Sequence, residues 1–244
     1  MPITETTEPA TEPRRSALAH PPAHVLFWGL GAALLALDLW SKAKVFATLA
    51  PDEVTPVLGP LFEFRRSLND GAVFGSFTGQ TGLFVAASVL ALGFVLYLFS
   101  QSGARNRVMH VALAMILSGA MGNLYDRAFM KADVIRVPTA SGQIGSLIGT
   151  IVSDPGDPMI RIGEWPGGGH VRVYSADEVE VHRQGVVRDF IKFVPKFPKG
   201  FPMLGGRDVW PWVFNVADAA LVVGVILLLF MTSFDRSPQR KRSA

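Results

Sequence analysis

Asp38, Asn123, Asp126, Arg127, Asn215 and Asp218 stand in strongly apolar sequence, where such side chains are expensive and by default functional. Their spacing groups them. Asp38 and Lys42 are four residues apart and share a helical face. Asn123, Asp126 and Arg127 follow an i, i+3, i+4 pattern, and Asn215 and Asp218 an i, i+3 pattern. Two carboxylates brought close together do not both ionise comfortably, so one keeps a proton. Such a pair can hydrolyse an amide: the ionised member activates water, and the protonated member donates to the peptide oxygen or nitrogen. That chemistry needs no metal or other cofactor.

Each residue also has a plainer role. Asp38 and Lys42 can be a structural pair, Arg127 can snorkel to headgroups, and Asn123 and Asn215 can join helices by amide hydrogen bonds. Asp218 is hardest to explain this way, because a buried carboxylate without a partner is costly. Other chemistries find no motif. The histidines His20, His24, His110, His170 and His182 are dispersed, and there is no H-E-x-x-H zinc motif. G-x-S-x-G, Walker and dinucleotide signatures are absent, as is GxGD. Ser41 and Lys42 are adjacent, and adjacent helical residues do not face each other.

The elements that must hold these groups are apolar. Of 244 residues, 49% are hydrophobic and 18% charged, with mean hydropathy +0.32. The charged share lies below the roughly 25% of soluble domains. The net charge of +3 is too small to suggest a nucleic-acid partner, and with no cysteine there is no disulfide or thiolate chemistry. A bilayer core takes about 20 apolar residues as helix. Residues 24–39, 82–99, 108–124 and 211–230 read as such helices, Pro211 suiting a helix start. Asp218 then lies two turns inside the fourth, roughly 10 Å down. The first reads as an uncleaved span, since Asp38 and Lys42 close it without a small-x-small cleavage site.

The expected fold is therefore a membrane all-α core of four transmembrane helices with a small extracytoplasmic β-rich portion. Arg14, Arg15, Arg105, Arg107, Arg236, Arg240, Lys241 and Arg242 would share one side, placing both termini in the cytoplasm. Asp38, Asn69, Asn123, Asp126, Arg127, Asn215 and Asp218 then gather at the opposite face. Residues 1–22 read as a disordered tail and 235–244 as a basic tail against anionic headgroups. Between 127 and 210, apolar runs at 134–137, 150–152, 159–162, 170–174 and 179–182 alternate with turn-rich pieces and read as short strands.

Five motifs in order resemble lipoprotein signal peptidase (signal peptidase II). They are Asp38-Leu-Trp-Ser-Lys42, Asn69-Asp-Gly71-Ala-Val-Phe-Gly75, Gly119-Ala-Met-Gly-Asn123-Leu-Tyr-Asp126-Arg127, Val187-Arg188-Asp189-Phe190 and Phe214-Asn215-Val-Ala-Asp218. The resemblance implies an intramembrane aspartic endopeptidase without cofactor. It would remove signal peptides from diacylglyceryl-modified prolipoproteins, cutting before the lipidated cysteine, at the periplasmic face of a bacterial inner membrane. It implies Asp189 and Asp218 as the catalytic pair. Asn69, Gly71, Asn123, Arg127 and Asn215 match substrate-binding positions; Asp38, Lys42 and Asp126 match structural ones. Helical spacing alone favours Asp126 over Asp189 as the partner of Asp218. The apolar run 186–194, interrupted by Arg188 and Asp189, would re-enter the membrane surface and lower Asp189 towards Asp218.

Two departures from the family pattern stand out. Asp126 and Asp189 are 63 positions apart, so 131–184 reads as a β-rich insertion in a 23–234 peptidase domain. Its ends must meet near the site, since loop insertions are tolerated when they do. Arg188 stands where the family has an apolar residue, and a cation there would lower the Asp189 pKa and favour its ionised form. The expected partners are prolipoprotein substrates and membrane lipid, with the enzyme a monomer. A proton-coupled transporter using Asp38, Asp126 and Asp218, or a non-catalytic receptor or scaffold binding through its strands, are the alternatives.

Overall fold

The structure is a computed structural model and describes residues 16–71, 81–138, 144–165 and 170–234. Residues 1–15, 235–244 and 72–75 of the second motif lie outside the described residues. The described residues form four α-helices: α1 (Pro21–Thr48), α2 (Thr81–Gln101), α3 (Arg107–Phe129) and α4 (Val216–Phe234). Two prolines open α1, where a missing N–H is harmless. Asn106 caps α3, its side chain accepting from the Met109 amide at 3.2 Å. Ser16–Pro22 are folded: Ser16 bridges to Gly103, a 3-10 turn spans Ala17–Ala19, and α1 begins at Pro21.

α3 is the central helix and packs against α1, α2 and α4. Its buried face runs from His110 to Asp126. At the end far from Asp126, Phe27 and Phe99 stack at 4.2 Å over Leu113 and Leu117. Nearer the polar end the helices meet through glycine. A Cβ at Gly119 would collide with the Ala217 carbonyl of α4, and one at Gly122 with the Asp38 carboxylate.

The expected fold class is corrected here. Among the described residues, only α1 and α3 are long and apolar enough to cross a membrane by themselves; the apolar stretches in the other two helices, Val85–Gln101 and Val216–Met231, are shorter. Nor is the β structure a small appendage. Among the described residues nine strands form two antiparallel sheets: β1 (Thr55–Pro56), β2 (Phe62–Asn69), β3 (Lys131–Pro138), β4 (Ile144–Ile151), β5 (Met159–Glu164), β6 (Val171–Ser175), β7 (Glu180–Gly185), β8 (Val187–Phe193) and β9 (Val213–Phe214). Two physical reasons account for the difference. Residues 211–215, counted as the start of the fourth helix, are not helical and include β9. And β2 and β8 carry charges among their apolar residues, which hides their alternation.

The inner sheet has the order β1-β2-β8-β9 and sits at the polar end of the helices. Ser67 pairs with Asp189 and Asn69 with Val187, after a register shift between Phe64 and Ser67. The 186–194 run is thus a sheet strand, and pairing with β2 is what places Asp189. The outer sheet, order β6-β5-β4-β3-β7, is built from residues 131–185 around Ile135, Val137 and Ile162. Its stem is closed. Lys131 pairs with Gly185, and the Val186 amide donates to the Met130 carbonyl at 3.0 Å.

Candidate active site

Asn215 and Asp218 begin α4 as a reciprocal cap. The Asp218 amide donates to Asn215 Oδ1 at 2.9 Å, and the Asn215 amide donates to Asp218 Oδ2 at 3.1 Å. Asp218 therefore lies in the first turn of its helix, where the N-terminal dipole favours a carboxylate, and not two turns inside it. Its other oxygen, Oδ1, accepts from Asn123 Nδ2 at 2.7 Å.

Asp189 reaches the same place from the inner sheet. It is 2% exposed. Its Oδ1 accepts from Asn215 Nδ2 at 2.7 Å and its Oδ2 from Asn69 Nδ2 at 3.1 Å. Asn215 thus touches both carboxylates, one through its side chain and one through its backbone. Asn69 is fixed by a tight turn: its Oδ1 accepts from the Gly71 amide at 2.8 Å, and Gly71 has φ 92°, a region that favours glycine.

A second layer of charge lies behind the pair. Lys42 is fully buried, 2.7 Å from Asp38 and 3.5 Å from Asp126, and donates to Asn123 Oδ1 at 3.2 Å. Asp38 accepts from the Ala217 amide at 2.9 Å, holding the start of α4. Asp126 takes the Arg188 guanidinium at 2.7 Å and the Arg188 amide at 2.9 Å. Successive strand residues point to opposite faces. Arg188 therefore turns away from Asp189, and the cation expected to lower that pKa is spent on Asp126. Half-buried Arg127 interacts electrostatically with Asp218, Asp189 and Asp126.

All ten residues singled out in the sequence, Asp38, Lys42, Asn69, Gly71, Asn123, Asp126, Arg127, Asp189, Asn215 and Asp218, meet in this one network. The amides of Asn123 and Asn215 are engaged with the carboxylates and with each other, Asn215 Nδ2 donating to Asn123 Oδ1 at 3.1 Å. Sequence reasoning did not single out Asp70, buried beside Asn69 and accepting from Ser146 Oγ at 2.8 Å. Its place inside the second motif was the available signal.

The Asp189 carboxyl is pushed up to about 8. Burial is the largest cause and the neighbouring Asp218 charge the next, opposed by the amides of Asn69 and Asn215 and by Lys42. Between the ordinary value of 3.8 and about 8, the native chain keeps a proton that the unfolded chain releases. This group's contribution to stability is therefore fully present below 3.8, falls as pH rises across that window and is lost above about 8. In detergent melts, the wild-type protein should lose more stability from pH 5 to pH 8 than an Asp189→Asn variant. Equal losses would show that Asp189 does not carry the proton.

Buried carboxylates beside apolar helices suit acid–base hydrolysis, and the comparisons with known proteins give the class of protein, an aspartic peptidase. Residues 30–234 match the family described as signal peptidase (SPase) II. The chain is 33% identical over 222 residues to the lipoprotein signal peptidase of Halalkalibacterium halodurans, covering 90% of this chain and 100% of that protein. It is 31% identical over 230 residues to that of Rhodopirellula baltica, covering 91% and 78%. Two solved structures, each described as a bacterial membrane enzyme structure obtained by the in meso method, share the fold at 19% identity. Their TM-scores are 0.55 and 0.52, with coverage of 88% of this chain and 92% of that chain, and of 83% and 89%. The chain belongs to the signal peptidase II family. It is an aspartic endopeptidase that removes signal peptides from prolipoproteins.

Proposed function

We propose that the protein cleaves diacylglyceryl-modified prolipoproteins immediately before the lipidated cysteine, with Asp189 and Asp218 as the catalytic pair. The observation that carries this reading is the hydrogen bonding of both carboxylates to Asn215, one of them raised to about 8. At neutral pH Asp189 holds the shared proton and polarises the scissile carbonyl. Asp218 takes a proton from the attacking water and later passes it to the leaving amide nitrogen. Asn69, Asn123 and Asn215 orient the carboxylates. Arg127, on the same face, and the Gly71 turn border the path of the substrate backbone.

The membrane side follows from charge. Arg105, between α2 and α3, and Arg107, which opens α3, lie at the end of the molecule away from the carboxylates. With this end in the cytoplasm the pair opens towards the periplasm, where the substrate's lipid chains can remain in the outer leaflet. The enzyme acts as a monomer in contact with membrane lipid.

The test is cleavage by the purified chain in vesicles, comparing a precursor bearing diacylglyceryl-cysteine with the unmodified one. Only the lipidated precursor should be cut, at the bond before cysteine, with activity falling above about pH 8 as Asp189 loses its proton. Equal cleavage of both precursors, or cleavage at another bond, would overturn the substrate assignment. A proton-coupled transporter or a binding scaffold would cut neither.

A further inference from the structure

The segment that carries the outer sheet reaches the inner sheet at two points, the first one residue beyond β2 and the second within it. At the first, Ser146 of β4 donates to the buried Asp70 carboxylate at 2.8 Å. Asp70 sits within the Asn69–Gly71 turn, whose Asn69 amide reaches Asp189. At the second, the Arg66 guanidinium lies between two rings, 5.2 Å from that of Phe46 on α1 and 4.9 Å from that of Trp165. Those rings stack on each other at 5.9 Å. Between the two anchors is a polar cleft of about 280 Å³, bordered by Ser67, Asp70, Ser146 and Glu164. An insertion serving only as an outward appendage would need its stem and no more. This one also grips the strand beside β8.

We propose that the outer sheet is a positioning element of the site, holding the Asn69–Gly71 turn through Ser146 and Trp165 and so setting the hydrogen bond from Asn69 to Asp189. The inference rests on the reading of Asp189 as catalytic. Ser146 is a positioning residue: it acts through Asp70 and Asn69 and touches neither carboxylate of the pair. Its effect can be read in the titration of Asp189, because the Asn69 amide is one of the contacts that restrain that carboxyl's upward displacement. The other charged groups facing Asp189 are Asp218 of α4, Lys42 of α1 and Arg127 of α3, and Ser146→Ala leaves all three in place.

The experiment uses the full chain in vesicles with the lipid-modified precursor, with a melting curve for each variant. Ser146→Ala should lower kcat about fivefold, the equivalent of one ordinary hydrogen bond. KM should stay within about twofold, because the substrate-facing groups are untouched. The alkaline limb of the pH–rate profile should move up by about half a pH unit as the Asn69 contact loosens. Ser146→Thr, which keeps the hydroxyl, should restore both. If Ser146→Ala does not fold, Trp165→Leu is read by the same two quantities. Wild-type kcat and pH profile in the variant would overturn the proposal. So would a fall in kcat with the alkaline limb unmoved, the mark of a merely structural loss. Failure of the underlying reading looks different: Asp189→Asn would then retain cleavage.

Discussion

Asp189→Asn and Asp218→Asn should each lower the rate of prolipoprotein cleavage by about 10²- to 10⁴-fold, the range that positioned acid–base groups supply. The two losses should not add, because the carboxylates act as one unit and either substitution disables it. Each variant should stay folded, for different reasons. At 189 an amide is neutral, as the protonated carboxyl is, and burial no longer opposes a charge there. At 218 an amide oxygen still accepts from the Asn215 backbone, so the helix cap survives. A cleavage assay paired with a melting curve separates lost chemistry from lost fold. If Asp189→Asn kept wild-type processing while Asp126→Asn abolished it, the pair would have been misassigned.

The largest stability effect should come from Lys42→Met. Lys42 is fully buried among Asp38, Asp126 and Asn123. Removing its ammonium leaves Asp38 without its cation, and breaking a buried pair in this way costs about 3–5 kcal/mol. Asp126 keeps Arg188 at 2.7 Å and should suffer less. Adding Asp38→Asn to Lys42→Met should therefore recover part of the loss, the signature of coupled neighbours in a double-mutant cycle. Denaturation midpoints of the two single variants and the double variant measure it. Additive losses would show that Lys42 contributes through packing and not through charge.

How far the sequence could be read varied with the physical signal. Four strands of the outer segment were legible because short apolar runs alternate there with turn-rich pieces: β3, β5, β6 and β7 overlap the expected runs with ends within three residues, whereas the run at 150–152 meets only the last residues of β4. The helices were legible as apolar stretches, but their ends were not. Pro211 suits a helix start and apolar residues follow it, although Asn215-x-x-Asp218 is itself a helix-start signature. Starting the fourth helix at Pro211 put Asp218 too deep. β2 and β8 escaped notice because Arg65, Arg66, Arg188, Asp189 and Lys192 interrupt them. Helical spacing made Asp126 the natural partner for Asp218. A residue delivered by a sheet strand has no helical register to betray it, so Asp189 was reachable only through the resemblance. The network around Asp126 then accounts for the conflict: its carboxylate is committed to Lys42 and Arg188.

At the Met130–Val186 contact the polypeptide leaves for the outer sheet and returns to within one backbone hydrogen bond of its departure. A segment that exits and re-enters at a single point can be gained or shed in one genetic event, since the chain on either side keeps its path and its reach. Strand β8 and helix α4, which carry the two carboxylates, lie wholly outside that excursion, so neither borrows any of its chain from the outer sheet.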